Sequence, residues 1–169
     1  MKKILTLLLS ALPLMALSLG ETPPPVTIKG DQGGKIDDSP WSSTMLKEKV
    51  HVLFYVDPDE KDTNNALSEA LKAKAFDRTH YGSVAIINLA ATWMPNFAIE
   101  SKLKKKQEKY PDTVYVKDKE KILVKQWGIA DDSSDILLFD KSGRLLYLYE
   151  GKLDENEITK VIRLIEVNL

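Results

Sequence analysis

The residues of this chain best suited to chemistry are acidic, and they fall into two groups that each adjoin an apolar segment. One group follows residues 50–56 and the other precedes residues 136–139. The seven residues are Asp57, Asp59, Glu60, Asp62, Asp131, Asp132 and Asp135. Carboxylate oxygens are preferred ligands of hard divalent cations, and they also attract basic partner proteins. Acidic residues equally favour helix N-termini and turns, where they need no ligand. The sequence leaves these three interpretations open.

Neither acidic group matches a known metal-binding motif. The run Asp57-x-Asp59-x-Lys61 departs from the EF-hand pattern, which requires Asp or Asn in place of Lys61 and glycine next. The two histidines, His51 and His80, are far apart, and no cysteine accompanies them at the spacing of a zinc site. We therefore expect no cofactor, with a divalent cation at the acidic residues as the alternative.

The chain contains no cysteine at all. This excludes thiol–disulfide exchange, because the reacting group in that chemistry is a thiolate. Ser133 and Ser134 lie outside a G-x-S-x-G turn, so a serine nucleophile is not predicted either. If the chain were an enzyme, a metal-assisted reaction using the carboxylates would be the class to consider.

A short apolar segment at residues 90–97 carries two large aromatic side chains, Trp93 and Phe97. Exposed aromatic residues often anchor protein–protein contacts. The same residues could instead close the core at the end of a strand. The lysine-rich stretch that follows, residues 102–109, is typical of a solvated helix face.

Alternating strands and helices are predicted to position these residues. Residues 50–56 and 83–89 are nearly continuous apolar segments, which is typical of strands buried on both faces. Helical spacing over residues 65–78 between them predicts a right-handed βαβ unit. The further predicted elements are a hairpin of 26–28 with 35–36, a helix starting at Pro95, a strand at 113–116, a helix at 121–127 ended by Gly128, strands at 136–139 and 144–149, and a last helix capped by Asp154.

The first twenty residues have the features of a secretory signal. Lys2 and Lys3 precede an apolar run over residues 4–12, and small residues place the cleavage site after Gly20 or Ser18. The run is shorter than the roughly 20 residues that a membrane-spanning helix needs. We therefore predict an exported, periplasmic protein.

The remainder divides into a proline-rich leader at residues 21–25 and one domain at residues 26–169. No second apolar run of spanning length follows, so the mature form is not expected to cross a membrane. Without Lys2 and Lys3 the chain has 22 basic and 25 acidic residues, a net charge of −3. This balance predicts no nucleic-acid binding.

Several segments of the second half resemble known proteins. Residues 127–129, the strand at 136–139, the turn at 140–143 and the terminal helix are similar to the closing half of thioredoxin. More specifically, the chain resembles the YtfJ family of periplasmic proteins, which belongs to the thioredoxin-like superfamily. The segments that carry this resemblance are residues 99–101, 105–106, 110–111, 130–134, 139–144 and 150–153.

The resemblance implies an α/β fold with a thioredoxin-like central mixed sheet flanked by helices, an N-terminal hairpin and an inserted helix–strand unit. In such a fold, the two acidic groups would meet at the carboxyl ends of the strands. Thioredoxins have a Trp-Cys-x-x-Cys segment where this chain has residues 57–62, and a cis-proline at about the position of Ser134. Redox activity is therefore not carried over.

We expect a binding or interaction module of the cell envelope with an envelope protein as its partner; the alternative is a carboxylate-based, metal-dependent enzyme or cation-binding protein.

Overall fold

The computed structural model describes residues 17–169, and residues 1–16 of the predicted signal segment 1–20 lie outside the described residues. Eight strands and four α-helices make up this part of the chain, with short 3-10 turns between them. The strands are β1 Thr27–Ile28, β2 Gly33–Lys35, β3 Trp41–Ser42, β4 Val50–Val56, β5 Tyr81–Asn88, β6 Thr113–Asp118, β7 Ser134–Phe139 and β8 Leu145–Glu150. The helices are α1 Asn65–Lys74, α2 Asn96–Lys109, α3 Ile122–Trp127 and α4 Glu155–Asn168.

Six of the strands form one mixed sheet in the order β2-β6-β5-β4-β7-β8. Strands β4, β5 and β6 are parallel, while β7 runs antiparallel to β4 and β8 antiparallel to β7. The carboxyl ends of the three parallel strands and the start of β7 consequently lie at the same edge of the sheet. We call this the carboxyl edge.

Helices cover both faces of the sheet. On one face, α1 and α4 pack over β4, β7 and β8, with Leu67 and Ile165 fully buried between them; α2 covers the end near β6 through Ile99 and Leu103. On the other face, α3 packs together with the N-terminal segment, and Trp127 lies in that core. This is the α/β architecture that the sequence predicts.

The predicted pairing of residues 26–28 with residues 35–36 is wrong, although residues 27–28 do form an antiparallel pair near the N-terminus. Strand β1 does not pair with residues 35–36; it pairs with β3, while β2 adds to the β6 edge of the main sheet. Glycine explains the difference, because a Cβ at Gly33 would lie 1.9 Å from the carbonyl oxygen of Lys117. Only a residue without a side chain allows the two backbones to approach this closely.

Smaller differences concern the ends of elements. Helix α1 ends at Lys74 instead of continuing to Arg78, because Ala75 adopts the left-handed conformation that closes a helix. The predicted stop at Gly128 and the cap at Asp154 are confirmed: Gly128 has a φ of 67°, and Asp154 accepts a hydrogen bond from the backbone N–H of Glu157.

The proline-rich leader is held against the domain. The indole Nε1 of Trp127 donates to the carbonyl oxygen of Pro24 at 2.9 Å, and the backbone N–H of Leu145 donates to the carbonyl oxygen of Glu21 at 2.9 Å. Within residues 17–169, none of the helices is long and apolar enough to cross a membrane.

Candidate functional site

The loops that carry the two acidic groups meet at the carboxyl edge. The backbone N–H of Asp57, directly after β4, donates to the carbonyl oxygen of Ser133, directly before β7, at 3.0 Å. This bond continues the β4–β7 ladder by one residue beyond Val56 and Ser134. The side chain of Asp57 therefore lies close to the loop that carries Asp131 and Asp132.

Asp57 is almost fully buried, with 2% of its surface exposed, and neither carboxylate oxygen has a hydrogen-bond partner. Burial raises the pKa of Asp57 to about 6, and the nearby carboxylates of Asp131 and Asp132 add to the increase. The carboxamide of Asn88 lies close enough to offset part of this rise, although it forms no hydrogen bond of good geometry.

Asp135 is a second buried carboxylate without a partner for either oxygen. It lies on β7 directly opposite Tyr55 of β4, so it shares the face covered by α3. Burial raises the pKa of Asp135 to about 7, and the charges of Glu150 and Asp57 contribute further. The two buried acids hold protons well above the usual pH range of aspartate.

Asp131 and Asp132 form the exposed side of the same cluster. Ligand atoms of Asp57, Asp131 and Asp132 all lie within 4.8 Å of one another. Asp131 is held from two directions: its Oδ1 accepts from the Asn88 Nδ2 at 3.1 Å, and its Oδ2 pairs with the Lys121 Nζ at 2.6 Å. Asp132 has a φ of 54°, which turns the chain sharply after Asp131.

Two residues of the cluster were not identified from the sequence, Asn88 and Asp118. They end β5 and β6 and lie opposite each other, both completely buried. Both oxygens of Asp118 have hydrogen-bond partners: the carboxylate accepts from the Tyr55 hydroxyl at 3.1 Å and from the backbone N–H of Ile122, at the start of α3, at 2.9 Å. In the carboxamide of Asn88, by contrast, the Oδ1 has no hydrogen-bond partner. The sequence signal that could have identified both residues is a polar residue at the last position of a predicted strand.

Unpartnered oxygens are concentrated at this edge. Six buried side-chain polar atoms of the described residues lack a hydrogen-bond partner, and five of them belong to Asp57, Asn88 and Asp135. Buried polar groups are almost always paired in folded proteins. We therefore assign the candidate site to the carboxyl edge, on the face of the sheet that α3 covers.

The seven acidic residues do not form one surface. Asp59, Glu60 and Asp62 are exposed in the loop after β4, where Glu60 accepts from Thr63 and Asp62 pairs with Lys61. Asp57 and Asp135 are buried at the ends of strands, so these two of the seven candidates do not contribute to an acidic surface for a partner. The buried cluster and the exposed acidic loop are separate features.

Ser134, at the position of the cis-proline in thioredoxins, is buried at the start of β7. Its hydroxyl accepts from the Asn64 Nδ2 at 3.0 Å, and the same amide also contacts the Gly151 carbonyl oxygen at 3.0 Å. The Asn64 Oδ1 accepts from the backbone N–H of Leu153. None of the peptide bonds described is cis. Ser134 is therefore part of a structural network that joins α1 to β7 and the end of β8.

Trp93 and Phe97 project from the protein, with exposed fractions of 90% and 75%. Leu89, just before this segment, and Met94 within it pack together with Ile99 and Leu103 of α2, whereas the two aromatic residues do not join this cluster. The backbone N–H of Met94 is held by the Thr92 hydroxyl. The aromatic side chains are thus displayed by an anchored segment at the end of β5.

Comparisons with known proteins agree with this architecture. A family described as "Bacterial protein of unknown function (YtfJ_HI0045)" matches residues 25–168. The uncharacterized protein YtfJ of Escherichia coli is 27% identical, over 98% of this chain and 97% of its own length. An uncharacterized protein of Haemophilus influenzae is 29% identical, over 75% of this chain and 70% of its own. Among solved structures, a thiol peroxidase from Chromobacterium violaceum superposes with a TM-score of 0.64 at 12% identity, covering 90% of this chain and 88% of the peroxidase.

Proposed function

This chain belongs to the YtfJ_HI0045 family of bacterial proteins and has a thioredoxin-like fold, and from that premise we propose that it is an exported periplasmic module that binds a partner protein of the cell envelope. The proposal excludes thiol–disulfide exchange for this chain. The loop after β4, residues 57–62, contains no cysteine, and neither does the rest of the sequence.

The observation that carries the proposal is the exposure of Trp93 and Phe97. Large aromatic side chains are enriched at protein interfaces and dominate their binding energy. A residue that is 90% exposed contributes little to folding through burial. Because Leu89 and Met94 pack against the core, the backbone that carries the two rings is held in place, which lowers the entropic cost of binding.

Charge indicates the kind of partner. The loop after β4 lies beside the segment after β5, because the two strands are neighbours in the sheet. Asp59 and Glu60 of that loop are exposed. A partner with an apolar pocket bordered by lysine or arginine would complement both the aromatic pair and these carboxylates.

Export to the periplasm is the part of the proposal that depends on the sequence pattern alone. The charged start, the apolar run and the small residues before Glu21 support it. Subcellular fractionation of tagged protein tests this part separately from partner binding.

Site-specific photo-crosslinking in cells tests the partner. A photoreactive amino acid replaces Phe97, and the matched control carries it at Val167, which is 69% exposed near the end of α4. We expect a discrete crosslinked product from position 97, absent at position 167 and lost when Trp93 is changed to Ala. Equal crosslinking at the two positions, or no product at position 97, would contradict the proposal.

A second candidate function, cation binding, is favoured by the unpartnered buried oxygens at the carboxyl edge. It uses other residues than the aromatic surface.

A further inference from the structure

We propose that Asp57, Asp131 and Asp132, with Asn88 positioning Asp131, form a binding site for a hard divalent cation such as Ca²⁺. The site lies under the rim of the carboxyl edge, between the ends of β4 and β5 and the loop before β7. It is independent of the proposed partner surface, which uses Trp93, Phe97 and the exposed loop after β4.

The carboxylates lie close enough together to share one ion. One ligand atom from each of Asp57, Asp131 and Asp132 lies within 4.8 Å of the other two. Calcium–oxygen distances are about 2.3–2.6 Å, so oxygens bound to one Ca²⁺ ion lie no more than about 5 Å apart. Ca²⁺ also accepts irregular arrangements of oxygen ligands, whereas Mg²⁺ requires a near-ideal octahedron.

A second observation is the burial of Asp57. Its side chain is 2% exposed, neither of its oxygens has a hydrogen-bond partner, and one of them lies in the cluster. Leaving a buried acceptor unsatisfied costs about 1–3 kcal/mol. A cation bound by Asp57 would satisfy such an acceptor. Asn88 positions the cluster, because its Nδ2 donates to the Asp131 Oδ1 at 3.1 Å.

The electrostatics of the cluster also favour a cation. Three carboxylates meet, while the single ammonium group paired with them is Lys121, which contacts one oxygen of Asp131. The charge of Lys121 also acts on Asp57 and Asp132, but one ammonium group faces three carboxylates, so the cluster keeps an excess of negative charge. Asp131 and Asp132 lie at the surface, so an ion can enter from solvent and complete its coordination with water.

Titration calorimetry with CaCl₂, MgCl₂ and MnCl₂ on chelator-treated protein at about pH 8 tests the site. We expect saturable binding of one Ca²⁺ per chain. Asp57→Asn should weaken it by at least about tenfold, because it removes a ligand charge. The matched control Asp62→Asn makes the same change on the exposed loop and should alter affinity by less than about twofold. Since Asp57→Asn also removes a buried charge, the variant is expected to fold.

The side-chain amide signals of Asn88 in a ¹H–¹⁵N NMR spectrum provide a local readout. They should shift with Ca²⁺ and saturate together with the calorimetric curve. Absence of binding at millimolar Ca²⁺, or binding that Asp62→Asn weakens as much as Asp57→Asn does, would overturn the proposal. Failure of this experiment leaves the crosslinking test of the partner surface unaffected.

Discussion

Asp57 and Ser133 are joined by a backbone hydrogen bond of 3.0 Å between the N–H of the first and the carbonyl oxygen of the second. This bond fixes the loop after β4 to the loop before β7, two segments that are distant in sequence. The backbone bond therefore holds Asp57 beside Asp131 and Asp132, and no attraction between their side chains is needed. Because backbone pairing sets the geometry of the candidate cation site, the three carboxylates stay close although their charges repel one another.

The raised pKa of Asp135, about 7, predicts how stability changes with pH. The folded state keeps a proton on this carboxyl that the unfolded state loses above about pH 4, so the free energy of unfolding should fall as the pH rises from about 4 to about 7. Asp135→Asn mimics the protonated form and should reduce this fall. We expect the variant to match the parent near pH 4 and to exceed it by about 2–4 kcal/mol at pH 8. Urea denaturation across this range, in the presence of a chelator, measures it. Parallel pH profiles for the two proteins would contradict the assignment.

Lys121 competes with a cation for Asp131, because its Nζ pairs with the Asp131 Oδ2 at 2.6 Å. Lys121→Gln should therefore strengthen Ca²⁺ binding by about three- to tenfold. Lys125→Gln, on the exposed side of α3, is the matched control and should have little effect. Calorimetry on both variants provides the comparison. Weaker binding in Lys121→Gln would show that the lysine supports the cluster instead of competing.

The close approach of β2 to β6 depends on Gly33. A Cβ there would lie 1.9 Å from the Lys117 carbonyl oxygen, and the φ of 124° is also unfavourable for alanine. Gly33→Ala should destabilise the protein by more than about 2 kcal/mol. Gly30→Ala is a control with a positive φ but open space around the new methyl group, so about 1 kcal/mol is expected. Thermal unfolding of the two variants would show whether the steric contact with Lys117 determines the loss of stability. Equal losses of stability in the two variants would argue against it.

The three tryptophans differ sharply in exposure: 0% for Trp41, 1% for Trp127 and 90% for Trp93. Trp93→Phe should therefore remove nearly all of the fluorescence that acrylamide can quench, and it should shift the remaining emission to shorter wavelength. The melting temperature should stay the same, because little burial is lost. If the parent shows no readily quenched component, Trp93 is covered, and the aromatic surface would have to be abandoned.

Much of the fold could be predicted from the sequence, because the signals were local. Residues 50–56 coincide with β4 as a continuous apolar segment, and the glycine after Trp127 ends α3 as expected. The pairing of β2 with β6 could not be predicted, since it depends on a long-range backbone approach that Gly33 permits. Local turn residues favoured a hairpin, and tertiary packing overrode them.

The candidate site was predictable in part. The strand order implied that the two acidic groups meet, and the structure places Asp57 next to Ser133. The sequence could not show which carboxylates are buried, because Asp57 and Asp59 differ in exposure although they share a loop. Asn88 was missed because it ends an apolar strand as an isolated polar residue, with no motif around it.

The most direct test of the account is the effect of Ca²⁺ on the melting temperature of the parent and of Asp57→Asn. A ligand that binds only the folded state stabilises it in proportion to the logarithm of its concentration above the dissociation constant. The account predicts that Ca²⁺ raises the melting temperature of the parent, while Asp57→Asn is more stable than the parent in chelator and needs at least about tenfold more Ca²⁺ for the same increase in melting temperature. An equal response of the two proteins, or none in either, would contradict the claim that the buried oxygens of the carboxyl edge bind a cation.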